Sequence, residues 1–216
     1  MTGGRLAWLY GNDPLRPSGV RALDQVGFTQ LDWPTAITPT GNPGGIERQR
    51  TSSFGNIAHL ATYLERQQPG PVLIACYTKG STRGVATAIA ASLLDPTEVP
   101  QILVDLITKI EASFSHLKPL AKLLRRGVAY HNASLPPEVK TALEEAIRQR
   151  ALRFVAATTT LAEGVDMPFR TTIIYEWLTG FGDKQSPMSA LMFRNIAGRC
   201  GRAGQYVEGD TVVYDN

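Results

Sequence analysis

Gly198-Arg199 and Gly201-Arg202 sit three residues apart within the stretch Phe193-Arg194-Asn195-Ile196-Ala197-Gly198-Arg199-Cys200-Gly201-Arg202. On a helix, residues at i and i+3 share a face, which would set the guanidinium groups of Arg199 and Arg202 side by side. Each guanidinium is a planar fork of donors matched to phosphate or carboxylate oxygens. A glycine inside a helix costs about 1 kcal/mol relative to alanine. Two of them here point to close approach of another group to the backbone. The pattern predicts a site for a polyanion such as the phosphates of a nucleotide. The plain alternative is a surface helix whose arginines are solvated or paired with carboxylates.

The elements that would position such a site read as alternating helices and strands. Ile57, Leu60, Ala61 and Leu64 have helical spacing. Val72 to Tyr77 is a continuous apolar run, as a buried parallel strand is. Val85, Ile89, Ala90, Leu93 and Leu94 mark a second helix. Ile102, Leu106, Ile110, Phe114 and Leu117 form one stripe of a third, which Pro119 should break or kink. Gly127 to His131, Arg153 to Ala157, Thr171 to Tyr175 and Asp210 to Tyr214 are four more strand candidates. Pro136-Pro137 opens a helix carrying Val139, Leu143 and Ile147. A last helix is expected from about Pro187 into the arginine pairs. The alternation predicts an α/β fold with a parallel sheet flanked by helices and right-handed crossovers.

Residues 1–56 read differently. Nine of the 20 glycines and five of the 14 prolines fall in the first sixty positions. Arg5 to Tyr10 could be a strand, but the region reads as a loop-rich arm or linker that packs on a domain spanning 57–216. The chain has 216 residues, 43% hydrophobic and 19% charged, with a net charge of +3. That is ordinary for a globular protein, and the weak basic lean alone identifies no partner. No apolar run reaches membrane-spanning length, so no membrane partner is expected. Cys76 and Cys200 are far apart and have no metal-ligand spacing. They read as packing thiols of a reduced, cytoplasmic protein, and no metal site is expected from His59, His116 and His131.

Ligands of parallel sheets bind outside the carboxyl ends of the strands. Three loops there are polar: Thr78 to Ser81, His131 to Leu135, and Thr158 to Pro168. Three successive threonines can donate to phosphate oxygens, although β-branched residues finishing a strand and a threonine N-cap account for them as simply.

The combination resembles superfamily-two helicases of the DExH or DEAD type. Ala156-Ala157-Thr158-Thr159-Thr160-Leu161-Ala162-Glu163-Gly164-Val165-Asp166-Met167-Pro168 looks like their motif V. Asn195 to Arg202 resembles motif VI, whose pattern is Q-x-x-G-R-x-G-R. Val72 to Ser81 occupies the place of motif IV, and Val128 to Leu135 resembles the strand and loop that follow it. The resemblance covers roughly residues 57–215 and implies a RecA-like second motor domain. It implies that Arg199 and Arg202 act as arginine fingers on ATP, and that Gly164, Asp166 and Asn195 face the nucleotide. It also implies that Thr78, Lys79, His131, Asn132, Thr158 and Thr159 lie near DNA or RNA. Asn195 is shorter than the family's glutamine, and Glu163 stands where a small or basic residue is usual.

The sequence contains no G-x-x-x-x-G-K-[ST] phosphate loop and no D-E-x-[DH] box. Those elements cradle the phosphates and hold Mg²⁺. The resemblance therefore implies half of a motor. Its ATP and Mg²⁺ would be held mainly by an N-terminal RecA-like domain of the same protein. The rival expectation is a non-catalytic RecA-like scaffold that binds nucleic acid or a protein partner.

Overall fold

Val72–Cys76 (β3) is buried at every position, as a strand covered on both faces must be. It is an interior strand of a sheet in a computed structural model that describes residues 4–10, 20–22, 53–158, 169–180, 186–200 and 209–215. The other strands are β1 (Gly4–Tyr10), β2 (Val20–Ala22), β4 (Val128–His131), β5 (Phe154–Thr158), β6 (Thr171–Ile174) and β9 (Gly209–Asp215). The order is β2-β1-β9-β6-β3-β5-β4. Every pairing is parallel except β1 with β2. A two-stranded ribbon, β7 (Leu178–Thr179) with β8 (Ser186–Pro187), lies apart.

The helices are α1 (Ser53–Gln67), α2 (Lys79–Ser92), α3 (Gln101–Ser113), α4 (Lys118–Leu124), α5 (Pro137–Arg148) and α6 (Ala190–Ala197). The strand period of two separates the faces of the sheet. Ile74, Ile173 and Val212 are register partners and belong to the large core with α1 and α2. One residue further on, Ala75, Ile174 and Val213 are also partners. They form a smaller cluster with Ile196 of α6.

Several sequence expectations are adjusted. The third helix stops at Ser113, five residues before Lys118, and Pro119 opens α4 instead of breaking a continuous helix. A proline in the first turn gives up an amide that has no helical partner anyway. At the N-terminus, β1 pairs along its full length with β9, so residues 4–10 extend the sheet itself. Helix α1 also begins at Ser53, inside the segment read as an arm. Residues 11–19 and 23–52 lie outside the described residues.

Helices α1 and α2 share the large core, and Phe54 adds a close contact between them. The Phe54 ring fills the space beside Gly84, where an added Cβ would lie 2.4 Å from a ring carbon. Phe54 continues to Tyr175 at 6.2 Å between ring centroids, and Tyr175 to Tyr214 at 5.8 Å. Gly84→Ala gains about 1 kcal/mol of helix propensity but overpacks this contact. The expected net loss is about 1–2 kcal/mol, measured by denaturant unfolding. Placed on a Phe54→Ala background, the same change should become neutral or stabilising, because only the propensity term remains.

Candidate functional site

The first turn of α2 lies at the carboxyl end of β3 and is fixed from two sides. Thr78 is the N-cap, with extended backbone (φ −107, ψ 154). Its Oγ1 accepts from Ser81 N–H at 3.0 Å and lies 2.7 Å from Ser81 Oγ. Ser81 Oγ donates to Glu176 Oε1 at 2.6 Å. Glu176, just past β6, also accepts from the amides of Tyr77 and Thr78. A carboxylate only accepts, so the Ser81 proton goes to Glu176 and the Thr78 proton to Ser81. The Thr78 hydroxyl is thereby committed inside its own loop. Lys79 is exposed. Around Gly80 an added Cβ would meet only Thr78 Oγ1, at 3.7 Å, so the backbone there is open to approach.

The second fixing side is β4. Asn132 is 0% exposed. Its Nδ2 donates to Thr82 Oγ1 at 3.0 Å, which in turn donates to Lys79 O at 2.8 Å. Its Oδ1 accepts from Ser134 N–H and Ser134 Oγ–H. His131 is 5% exposed. Glu144 Oε1 lies 3.3 Å from its Nε2, and neither ring nitrogen has an aligned hydrogen bond. Burial lowers its pKa, Glu144 opposes that shift, and Lys140 adds to it. The sequence expectation places His131 and Asn132 near nucleic acid. Both side chains are interior, and they shape the loop. The exposed groups beside them are Ser134 and Arg83. Arg83 donates to Ser134 Oγ at 3.2 Å and stands 5.6 Å over the Tyr130 ring.

Thr158 ends β5 opposite Cys76 of β3 and is buried. The Cys76 thiol is pushed well above its ordinary pKa by burial and by the negative charge of Glu176. It is a packing residue. Thr159, Gly164 and Asp166 lie outside the described residues.

Arg199 occupies a different place. Ser189 caps α6 by accepting from Met192 N–H at 3.2 Å. The helix starts beside the carboxyl end of β6, where Met188 N–H donates to Trp177 O. It ends near the start of β9, where Thr211 Oγ1 reaches Ala197 O at 3.4 Å. Asn195 is exposed and Ile196 buried. Gly198 caps the helix, so Arg199 stands in a turn beyond its last residue. Arg202 lies outside the described residues. A Cβ on Gly198 would meet Arg194 O at 3.0 Å, so the close approach here is that of the helix's own carbonyl. Cys200 then bridges to Phe169, ahead of β6, and its Sγ lies 3.1 Å from Thr211 Oγ1. Burial raises the Cys200 pKa, with Thr211 and Thr172 opposing. Leu73, Thr172 and Thr211 are in register. The turn is thus about 10 Å of strand away from Cys76 and the Thr78 loop.

Sequence reasoning missed Ser81, Arg83 and Glu176. Arg83 lies four residues after Lys79, a same-face spacing on α2. An acid directly after the apolar run Thr171 to Tyr175 was the available signal for Glu176. Among the described residues, no group of His, Cys, Asp and Glu is placed to hold a metal ion. Nor is any helix long and apolar enough to cross a membrane.

Residues 55–204 match the family of the helicase conserved C-terminal domain. The chain is 33% identical over 150 residues to the ATP-dependent DNA helicase Hel308 of Pyrobaculum calidifontis, covering 67% of this chain and 21% of that protein. It is 38% identical over 97 residues to the Hel308 of Aeropyrum pernix, covering 44% of this chain and 13% of that protein. It is 34% identical over 119 residues to DNA polymerase theta of Drosophila melanogaster, covering 55% of this chain and 5% of that protein. The chain thus spans about a fifth or less of the length of these relatives.

Asn132→Ala should lower stability by about 2–3 kcal/mol in thermal or denaturant unfolding, since it leaves buried partners unsatisfied. His131 is held neutral in the folded state, so its contribution is full above its ordinary pKa of 6.5. That contribution is lost as pH falls from there through the lower folded value. Unfolding measured from pH 7.5 to 5 should show this slope, and His131→Gln should flatten it.

Proposed function

The chain belongs to the family of helicase conserved C-terminal domains, and on that premise we propose that it is the second RecA-like motor domain of an ATP-dependent DNA helicase or translocase. The supporting observation is the separation of two kinds of surface on one rigid sheet. The exits of β3 and β4 gather Lys79, the open backbone at Gly80, Arg83 and Ser134 at the carboxyl edge. Lys79 and Arg83 are exposed cations, as a phosphate backbone requires. The Arg199 turn lies apart, at the far end of α6. One surface suits a nucleic-acid strand, and the other a nucleotide held mainly by another domain.

DNA is favoured over RNA because the relatives named above include ATP-dependent DNA helicases and a DNA polymerase. Arg199, with Arg202, donates to the phosphate oxygens of ATP. A planar fork is worth more there than a point charge, because it fixes direction as well as sign. Gly164, Asp166 and Asn195 are assigned to the same nucleotide. Thr159 is assigned to the nucleic-acid backbone, whereas Thr158 closes β5 with a buried side chain. Mg²⁺ is assigned to the partner RecA-like domain of a longer protein, where it would neutralise phosphate charge.

The 216-residue chain alone should show no ATP hydrolysis. In a longer protein that includes the phosphate loop, Arg199→Ala or Arg202→Ala should lower DNA-stimulated turnover by about 10³-fold or more, with Arg→Lys failing to restore it. Turnover near the parent value in both alanine variants would remove the arginine assignment and favour a non-catalytic scaffold.

A further inference from the structure

Tyr77 N–H, Thr78 N–H and Ser81 Oγ–H converge on one carboxylate, that of Glu176. The donors sit where a parallel strand ends and a 14-residue helix begins, the place where sheets of this kind hold phosphate groups. The Glu176 carboxylate brings two oxygens, and both are used. Oε1 takes the hydroxyl at 2.6 Å, and Oε2 takes both amides. The contact joins residues 95 to 99 positions apart in sequence, so it ties the exit of β6 to the exit of β3.

We infer that Glu176 is a positioning residue. Its carboxylate occupies an anion cradle that would otherwise take a phosphate oxygen, and it sets the β3 exit loop without any bound ligand. Two consequences follow. The loop is shaped before a partner arrives, which lowers the ordering cost of binding. A nucleic-acid phosphate is also turned away from the cradle and directed to Lys79 and the open backbone at Gly80. The second consequence rests on the reading of this loop as a nucleic-acid contact, and the first does not.

The test compares the 216-residue chain with Glu176→Ala, Glu176→Gln and Lys79→Ala. Melting is followed in sodium phosphate and in sodium chloride at matched ionic strength. Glu176→Ala should melt roughly 5 °C lower in chloride. About half of that loss should return in phosphate, because the anion binds only the folded cradle. The unsubstituted chain should show no difference between the two salts. If Glu176→Ala does not fold, Glu176→Gln serves, with a smaller shift of the same kind, since its amide oxygen keeps one bond. Equal melting of a Glu176 variant in both salts overturns the inference.

Binding to a labelled single-stranded DNA is then measured against salt. Glu176→Ala should add about 0.7 to the slope of log affinity against log salt, and Lys79→Ala should remove about 0.7. An unchanged slope for Lys79→Ala, with phosphate recovery intact in Glu176→Ala, rejects the nucleic-acid reading and leaves the cradle standing. The reverse pattern rejects the cradle and leaves that reading in place.

Discussion

A parallel strand that turns into a helix leaves amides in the first turn that no helical carbonyl can reach. At the end of β3 those amides would face an open sheet edge, and the chain answers with side chains from either side, one beyond the neighbouring β6 and one beyond β4 at the sheet's end. Glu176, beyond β6, accepts from the Tyr77 and Thr78 amides and from Ser81. Asn132, beyond β4, donates to Thr82, which holds the Lys79 carbonyl. Both clamps reach the first turn of α2 from opposite sides of the sheet order. The rest of the carboxyl edge depends on them. With Thr78 and Ser81 turned inward, only Lys79, the Gly80 backbone and more distal groups such as Arg83 are left to meet a partner.

The other surface is held by α6, which has eight residues, with Ile196 buried and Met192 and Phe193 packed against the same cluster. A helix this short is marginal by itself in water, so its place depends on those contacts, on the Ser189 cap and on the bonds around Cys200. Thr211 and Cys200 both reach the Ala197 carbonyl, satisfying a helix end that has lost its next turn. Gly198 lets the chain leave at that point because no Cβ obstructs the Arg194 carbonyl. The glycine before Arg199 is therefore explained by the helix end.

The sheet was legible in the sequence because parallel strands buried on both faces are written as unbroken apolar runs. Val72 to Cys76 and Phe154 to Ala157 are such runs, and each became a strand. The helix breaks were less legible. Phe114 and Pro119 both stand near a helix end, and the pattern does not say which of them ends one helix and which lies at the start of the next. The family was legible from Thr158 to Pro168 and from Asn195 to Arg202, where residue types and order coincide. What sequence alone did not show was the burial of polar side chains in strand-exit loops. Asn132 and His131 have the chemistry of surface ligands, and only the packing of α2 and α5 shows them enclosed. Glu176 was missed for the converse reason: an acid after an apolar strand reads as a solvated end unless its three donors, almost a hundred residues away, are brought beside it.

A closely packed sheet does not deform continuously, and this bears on how the two surfaces can serve one process. Strand β6 leads at its carboxyl end to Glu176, and thus to the loop bearing Lys79. From there the chain passes through the β7–β8 ribbon into α6 and reaches Arg199. The two surfaces are therefore successive stations on one segment, residues 171–199, anchored to the sheet by the pairing of β6 with β3 and β9. On the proposed reading, a nucleotide met at the Arg199 turn and a nucleic-acid strand met at the Lys79 loop therefore both act on β6, through α6 at one station and through Glu176 at the other.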